Sequence, residues 1–152
     1  MKTRYWSLVG LIVVLISAPT HAAEGLIKVE SQYPQKVTMD RLEAAVLAKN
    51  MKVFARIDHA AGAASIGQTL DPTELLIFGN PKGGTPFMKC AQTVGIDLPL
   101  KALVWQDKDG KVWLGYNDPG YLARRHAIAT CPVVPGMSKA LAGFAAAATS
   151  GD

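Results

Sequence analysis

The sequence predicts an α+β domain, with an antiparallel or mixed sheet of about five strands and helices packed on one face. Short apolar segments with period-two alternation are interleaved with segments in which apolar residues recur at helical spacing. Glycine and proline separate the two kinds of segment. The turn Asp107–Gly110 lies between two strand-like segments, which indicates a hairpin. The resulting order, β-α-β-β-α-β-β-α, is ferredoxin-like.

The first half of the chain predicts a β-α-β unit. Gly25–Ser31 and Lys52–Asp58 alternate in polarity as strands do. Between them, Thr38 is a suitable N-cap for a helix. The apolar stripe of this helix consists of Met39, Leu42 and Val46. The small, polar stretch after Asp58 predicts a loop with one helical turn near Ala61–Ile66.

The next segment predicts a central strand followed by a helix. Glu74–Asn80 is a nearly continuous apolar segment, which is typical of a strand covered on both faces. The helix is expected to begin at Thr85-Pro86 and to end at Gly95. Because strand-helix-strand crossovers join parallel strands, we expect the first and second strands to run parallel, and the third and fourth likewise.

The last third predicts the hairpin, a short helix and a tail. Trp105 and Trp113 lie on the two hairpin strands and are expected to stabilise the sheet as a cross-strand pair. Asp118-Pro119 opens the short helix. At residues 131–152 a Pro/Gly linker leads into an alanine-rich tail. Its end is expected to fray, because it has few large apolar anchors.

Residues 1–22 predict a cleaved export signal. Lys2 and Arg4 form a basic segment, Leu8–Ile16 is apolar, and Thr20-His21-Ala22 suits signal peptidase. A membrane anchor is the weaker alternative, because the apolar segment is shorter than the ~20 residues that a spanning helix needs. We therefore expect a periplasmic protein without a membrane anchor after cleavage, with a single α+β domain at residues 23–130.

The net charge restricts the possible partners. Without Lys2 and Arg4, fourteen Lys and Arg residues face twelve acidic residues along the chain. This small and evenly spread excess argues against nucleic-acid binding.

Cys90 and Cys131 are the two cysteines. An even number in an oxidising compartment favours a disulfide over two free thiols.

Four stretches together carry a family resemblance: FARIDHAAGA, PTELLIFGNPKGGTP, DLPLKALVWQD and VWLGYNDPGYLARRH. They resemble the family catalogued as domain of unknown function 302, whose members are small bacterial proteins, many of them exported. The resemblance extends from Leu26 to Ile128 and implies a compact α+β domain. It implies no activity.

The glycine-rich stretch at residues 79–86 is the first candidate site. Gly79 and Gly84 have the spacing of a phosphate-binding P-loop, but no lysine precedes Thr85. Pro86 also removes a backbone donor. We expect a tight strand-to-helix turn, with a weak anion site as the alternative. The candidate anion loop consists of Asn80, Lys82, Gly83, Gly84 and Thr85.

A second candidate site is expected where strands end. The predicted strand directions bring five polar residues to one end of the sheet, with the glycine-rich stretch at the other end beside the Asp107–Gly110 turn. These residues are Asp58, His59, Glu74, Asn117 and Asp118. They offer acid–base groups for an enzyme. Alternatively, His59 and His126 could bind a metal ion, with Glu74 as the third ligand.

Taken together, these features favour a non-enzymatic periplasmic module that binds a small anionic or acidic ligand, or a partner chain. A homodimer through an open sheet edge or the helix-free face is the expected assembly. The alternatives are an enzyme with a His/carboxylate site and a metal-handling protein. No cofactor or metal is part of the leading hypothesis.

Overall fold

A computed structural model describes residues 23–150, so the predicted export signal at residues 1–22 lies outside the described residues. The strands are β1 (Leu26–Ser31), β2 (Lys52–Asp58), β3 (Thr73–Gly79), β4 (Leu100–Gln106) and β5 (Val112–Asn117). The α-helices are α1 (Gln35–Ala48), α2 (His59–Ser65), α3 (Pro81–Cys90), α4 (Pro119–Arg125) and α5 (Val134–Thr149). A 3-10 helix occupies Gln92–Ile96.

The five strands form one sheet in the order β1-β5-β4-β3-β2, and every neighbouring pair is antiparallel. The predicted α+β class is therefore confirmed. The first and second strands do run in the same direction, at opposite edges of the sheet. The prediction that the third and fourth strands run parallel is wrong. Phe78 near the end of β3 pairs with Leu100 at the start of β4, so the chain between them returns to the end it left.

Helices α1 and α5 cover one face of the sheet and form the main core. Side chains from α1 and β3, such as Met39 and Phe78, are fully buried there. Phe144 of α5 meets Phe78 edge to face, with ring centroids 5.9 Å apart. Burying a side chain of this size contributes about 1.5–3 kcal/mol. The segment predicted as a frayed tail is thus an integral helix of the core.

A second, smaller core explains why α3 does not cross the sheet. Phe87 of α3, Val94 of the 3-10 helix and Leu122 of α4 are buried together at the end of the sheet. Cys90 and Cys131 lie in the same cluster and are joined by a disulfide, with Cα atoms 6.1 Å apart. The predicted pairing is therefore present.

The hairpin has the predicted geometry. Trp105 and Trp113 are directly paired across β4 and β5. Asp107 accepts hydrogen bonds from the Trp113 indole N–H (2.8 Å) and from the backbone N–H groups of Asp109 and Lys111. These donors, the Trp113 indole first, hold the pKa of Asp107 below its usual value.

In residues 23–150, no helix has the length and hydropathy required to cross a bilayer.

Candidate functional site

The five predicted strand-end residues lie at opposite ends of the sheet. Asp58 pairs with Glu74 where β2 ends and β3 begins, and His59 follows at this end. Asn117 pairs with Leu26 at the other end, and Asp118 follows it. The predicted cluster is therefore wrong, because β4 runs antiparallel to β3 and reverses the direction of β5.

Each carboxylate of the predicted cluster has a local structural partner. Asp58 accepts the backbone N–H of Ala61 and caps α2, and Asp118 caps α4 in the same way. Glu74 accepts hydrogen bonds from Arg56 and from Gln35. The Glu74 carboxylate is the first cause of the raised pKa of Arg56, so this guanidinium stays charged.

The two histidines are also far apart. His126 is held by Asp97 (Nε2 to Oδ2, 2.6 Å) and by Thr93 (Nδ1 to Oγ1, 2.9 Å), next to the start of β4. His59 lies near the start of β3, at the other end of the sheet, and the seven residues of β3 span about 20 Å. A metal site shared by His59 and His126 within one chain is therefore contradicted. Among the described residues, no group of three or more His, Cys, Asp or Glu side chains could hold a metal ion.

The glycine-rich stretch is helical and forms the start of α3. Asn80, not Thr85, is the N-cap, and its side chain accepts the backbone N–H of Lys82. The N–H groups of Gly83 and Gly84 bond to the Asn80 carbonyl. Three backbone donors of the predicted anion loop, those of Lys82, Gly83 and Gly84, are therefore already used within the helix. The stretch also lies at the opposite end of the sheet from the Asp107–Gly110 turn, not beside it as predicted.

This same segment forms one wall of a cleft of about 800 Å³. The other walls are the chain from Leu98 to Leu100 and one side of α5. We call this space the α3–α5 cleft. Its apolar lining includes Phe54, Met88, Leu98, Met137 and Phe144. A cleft of this size lies within the range of small-molecule sites, about 300–1,000 Å³.

Polar groups are few in the α3–α5 cleft. Asn80, Lys82 and Thr85 are the described lining residues with polar side chains, and Lys82 is the charged one among them. Lys52 is not a lining residue, but its ammonium lies 5.1 Å from the ring centroid of the lining residue Phe54. The lining is thus mainly apolar and carries one positive charge.

Small residues keep the cleft open. A Cβ added at Gly83 or at Gly136 would meet no neighbouring side chain within 4 Å. Ala140, one helical turn after Gly136, also lines the cleft. Because both glycines line the cleft, we expect a larger side chain at either position to occupy part of its space. The volume therefore follows from the choice of residues on two helices.

The disulfide connects two walls of the cleft. Cys90 is the last residue of α3, and Cys131 directly precedes the lining residues Pro132 and Val133. The bond therefore connects the α3 wall to the start of the α5 wall. Reduction would leave these two walls connected by packing alone.

The sequence did not predict this cleft, because one wall belongs to the segment that was predicted to fray. A signal was present in the spacing of residues on α5. Gly136, Met137, Ala140 and Phe144 recur at intervals of one, three and four residues and so share one helical face.

The comparisons with known proteins identify the family. The family model described as "Domain of unknown function DUF302" matches residues 27–144. The chain belongs to this family. The crystal structure of an uncharacterised DUF302 protein from Bacillus stearothermophilus has a TM-score of 0.73 and 21% identity, covering 83% of this chain and 99% of that one. This likeness supports the DUF302 fold.

The curated proteins that this chain matches are named as ion channels. The chain is 50% identical over 104 residues to "Fluoride-specific ion channel FluC 1" from Brucella suis and, equally, to the protein of that name from Brucella abortus. The match covers 68% of this chain, but only 41% and 38% of those proteins. This DUF302 chain therefore spans about two fifths of the curated relatives it matches.

Proposed function

We propose that this domain is a non-enzymatic module that binds a small, largely apolar ligand in the α3–α5 cleft. The observation that carries the proposal is the cleft of about 800 Å³ with its predominantly apolar lining. Apolar surface in contact with water is unfavourable by about 25 cal/mol per Å², and a ligand that covers it gains this free energy. The few polar groups of the lining would orient the ligand.

The cleft also suits binding better than catalysis. Met88 and Met137 contribute flexible, polarisable side chains, which adapt to apolar ligands of different shape. The titratable pair His126–Asp97 lies outside the residues that line the cleft. Asp97 and Thr93 use both ring nitrogens of His126, and its side chain is only 8% exposed. These contacts support a structural role for this histidine.

The relatives named fluoride-specific ion channels raise a second possibility, that the domain contributes to fluoride transport. We assign ligand binding, not ion conduction, to the matched part. Its cleft is lined mainly by apolar groups, and transferring a strongly hydrated anion into such surroundings is costly. Sodium fluoride should therefore leave the methionine signals of the cleft unchanged.

Export to the periplasm is a further part of the proposal. It is supported by the basic and apolar segments before Ala23 and by the disulfide, which is stable in an oxidising compartment. The mass of the protein isolated from the periplasm should correspond to a chain that starts at Ala23. A full-length mass, or retention in the membrane fraction, would contradict export. Self-association through an open sheet edge or the helix-free face stays a prediction.

Methionine-methyl NMR tests ligand binding directly. Met51, Met88 and Met137 line the cleft, whereas Met39 is fully buried in the main core and serves as an internal control. Titration of the mature protein with octan-1-ol should shift the methyl signals of Met88 and Met137 in a saturable manner. The signal of Met39 should stay in place. If no cleft methionine responds, or if all four respond alike, the proposed function is wrong.

A further inference from the structure

We infer that the ligand of the α3–α5 cleft is an anionic amphiphile, an alkyl carboxylate whose charged head lies at Lys82 and whose chain lies along the apolar walls. This inference rests on the proposed function, because it names the chemical class of the ligand in the same cleft. It depends on three features of the site: the sign of the charge in the lining, the lack of an ion-pair partner for Lys82 among the described residues, and the apolar character of the other lining residues.

The charge of the lining has one sign. Lys82 is the charged residue among the described residues that line the cleft, and no Asp or Glu is among them. The nearby ammonium of Lys52 is held over Phe54, itself a lining residue. An approaching carboxylate therefore meets positive charge and no negative side chain. A cationic head group would be repelled at the same place.

The ammonium of Lys82 is available for this contact. Among the described residues, no carboxylate lies within ion-pair distance of it, whereas Lys36 and Lys111 each have such a partner. Lys82 is in the first turn of α3, where its backbone N–H is already bonded to Asn80. Its side chain, and not the backbone of the glycine-rich segment, is therefore the group that can bind an anion.

The rest of the lining determines the shape of the ligand. Met88, Leu98, Met137 and Phe144 offer apolar contacts with no charged group among them. A head group at Lys82 would place an alkyl chain among these side chains, where each buried methylene contributes about 0.8 kcal/mol. A compact anion such as phosphate would leave this surface uncovered. The cleft therefore favours a molecule with a single charge at one end.

Three ligands with the same chain and different heads test the inference: octanoate, octan-1-ol and octylammonium, each titrated at pH 7 and followed by the Met88 and Met137 methyl signals. Octanoate should bind about two- to five-fold more tightly than octan-1-ol, as expected for one partly exposed ion pair. Octylammonium should bind most weakly. The advantage of octanoate should decrease as salt is added, because exposed charges are screened.

Two variants on the same helix identify the group responsible. Lys82→Gln should remove the advantage of octanoate and leave octan-1-ol binding unchanged. The control Lys89→Gln removes the same charge from α3 at a residue outside the cleft lining, and it should preserve the advantage. Lys52→Gln should have a smaller effect than Lys82→Gln.

The outcomes separate this inference from the proposed function. If octanoate and octan-1-ol shift the cleft methionines with equal affinity, or if the advantage of octanoate survives Lys82→Gln, the inference is wrong while the cleft remains a ligand site. An advantage that depends on Lys52 alone overturns the assignment to Lys82. If none of the three ligands shifts Met88 or Met137, the proposed function fails as well.

Discussion

Gly83 of α3 and Gly136 of α5 line the same cleft from two helices, and a Cβ added at either position would meet no neighbouring side chain within 4 Å. Elsewhere in the fold, glycine is required by close packing: a Cβ at Gly115 would lie 2.9 Å from the ring of Trp105. The contrast distinguishes glycines that permit contact from glycines that leave space. A side chain added at Gly83 or Gly136 is expected to narrow the cleft without straining the core.

The disulfide is expected to stabilise the fold and the cleft together. It closes a loop with a sequence separation of 41 residues. In the chain-entropy model, a loop of this size contributes about 4 kcal/mol to the free energy of unfolding. The Cys90→Ala/Cys131→Ala variant should lose much of this stability in urea denaturation. It should also bind octan-1-ol more weakly, because the walls are no longer connected.

Reduction of the wild-type protein with dithiothreitol is the matched control for this double variant. Both treatments should lower the urea midpoint to a similar extent. Equal midpoints for the oxidised protein, the reduced protein and the double variant would contradict the stabilising role of the bond.

Arg56 is expected to stabilise the contact between α1 and the β2–β3 edge. Its guanidinium bonds to Glu74, Asp40 and Glu43, and the Glu74 side chain is only 13% exposed. Arg56→Met leaves a mostly buried carboxylate with a single weak donor. We expect a loss of about 1–3 kcal/mol in the free energy of unfolding. Lys36→Met, which removes one exposed ion pair, should cost less than about 0.5 kcal/mol.

Equilibrium unfolding in urea at neutral pH measures both variants under the same conditions. Equal effects of Arg56→Met and Lys36→Met would show that the Arg56 network contributes no more than a surface ion pair.

Asp107 is expected to make stability depend on acid pH. Its folded-state pKa is lowered, first by the Trp113 indole N–H and then by the backbone donors of the turn. A carboxylate with a lowered folded pKa contributes stability above its unfolded pKa of about 3.9, and this contribution is lost as the pH falls through the folded pKa. Asp107→Asn should therefore be less stable than the wild type near neutral pH, and the difference should shrink in acid.

Thermal unfolding from neutral pH into the acid range measures this difference. Asp109→Asn removes a charge from the same turn and leaves the bond between Asp107 and Trp113 in place. It should show a weaker pH-dependent difference. A constant difference between Asp107→Asn and the wild type at all pH values would contradict the linkage.

Local signals in the sequence were sufficient for several elements. The turn at Asp107–Gly110 and the cap at Asp118-Pro119 were predicted correctly, because their residues determine the backbone by contacts within a few positions. The start of α3 was predicted too late. Both Asn80-Pro81 and Thr85-Pro86 offer a polar cap before proline, and the structure uses the first pair.

The direction of β4 and the position of α5 depend on packing between residues that are far apart in the sequence, so the sequence did not predict them. The direction of β4 depends on whether the segment after β3 covers the sheet or forms its own core, and the burial of Phe87 with Leu122 decides this. The docking of α5 likewise depends on Phe78, a residue far away in the sequence that meets Phe144. The cleft lies between α3 and α5, so neither segment predicts it alone.

Binding of octan-1-ol to two glycine variants tests the central claim most directly. Gly136 lines the α3–α5 cleft, so leucine at this position is expected to occupy part of it. Gly143 is on the same helix and also has no neighbour within 4 Å of an added Cβ, but it does not line the cleft. Both variants should fold, because leucine favours a helix more than glycine does. Gly136→Leu should weaken the binding that the shift of Met88 reports, and Gly143→Leu should bind as the wild type does. Wild-type affinity in the folded Gly136→Leu variant would contradict the assignment of the cleft as the ligand site.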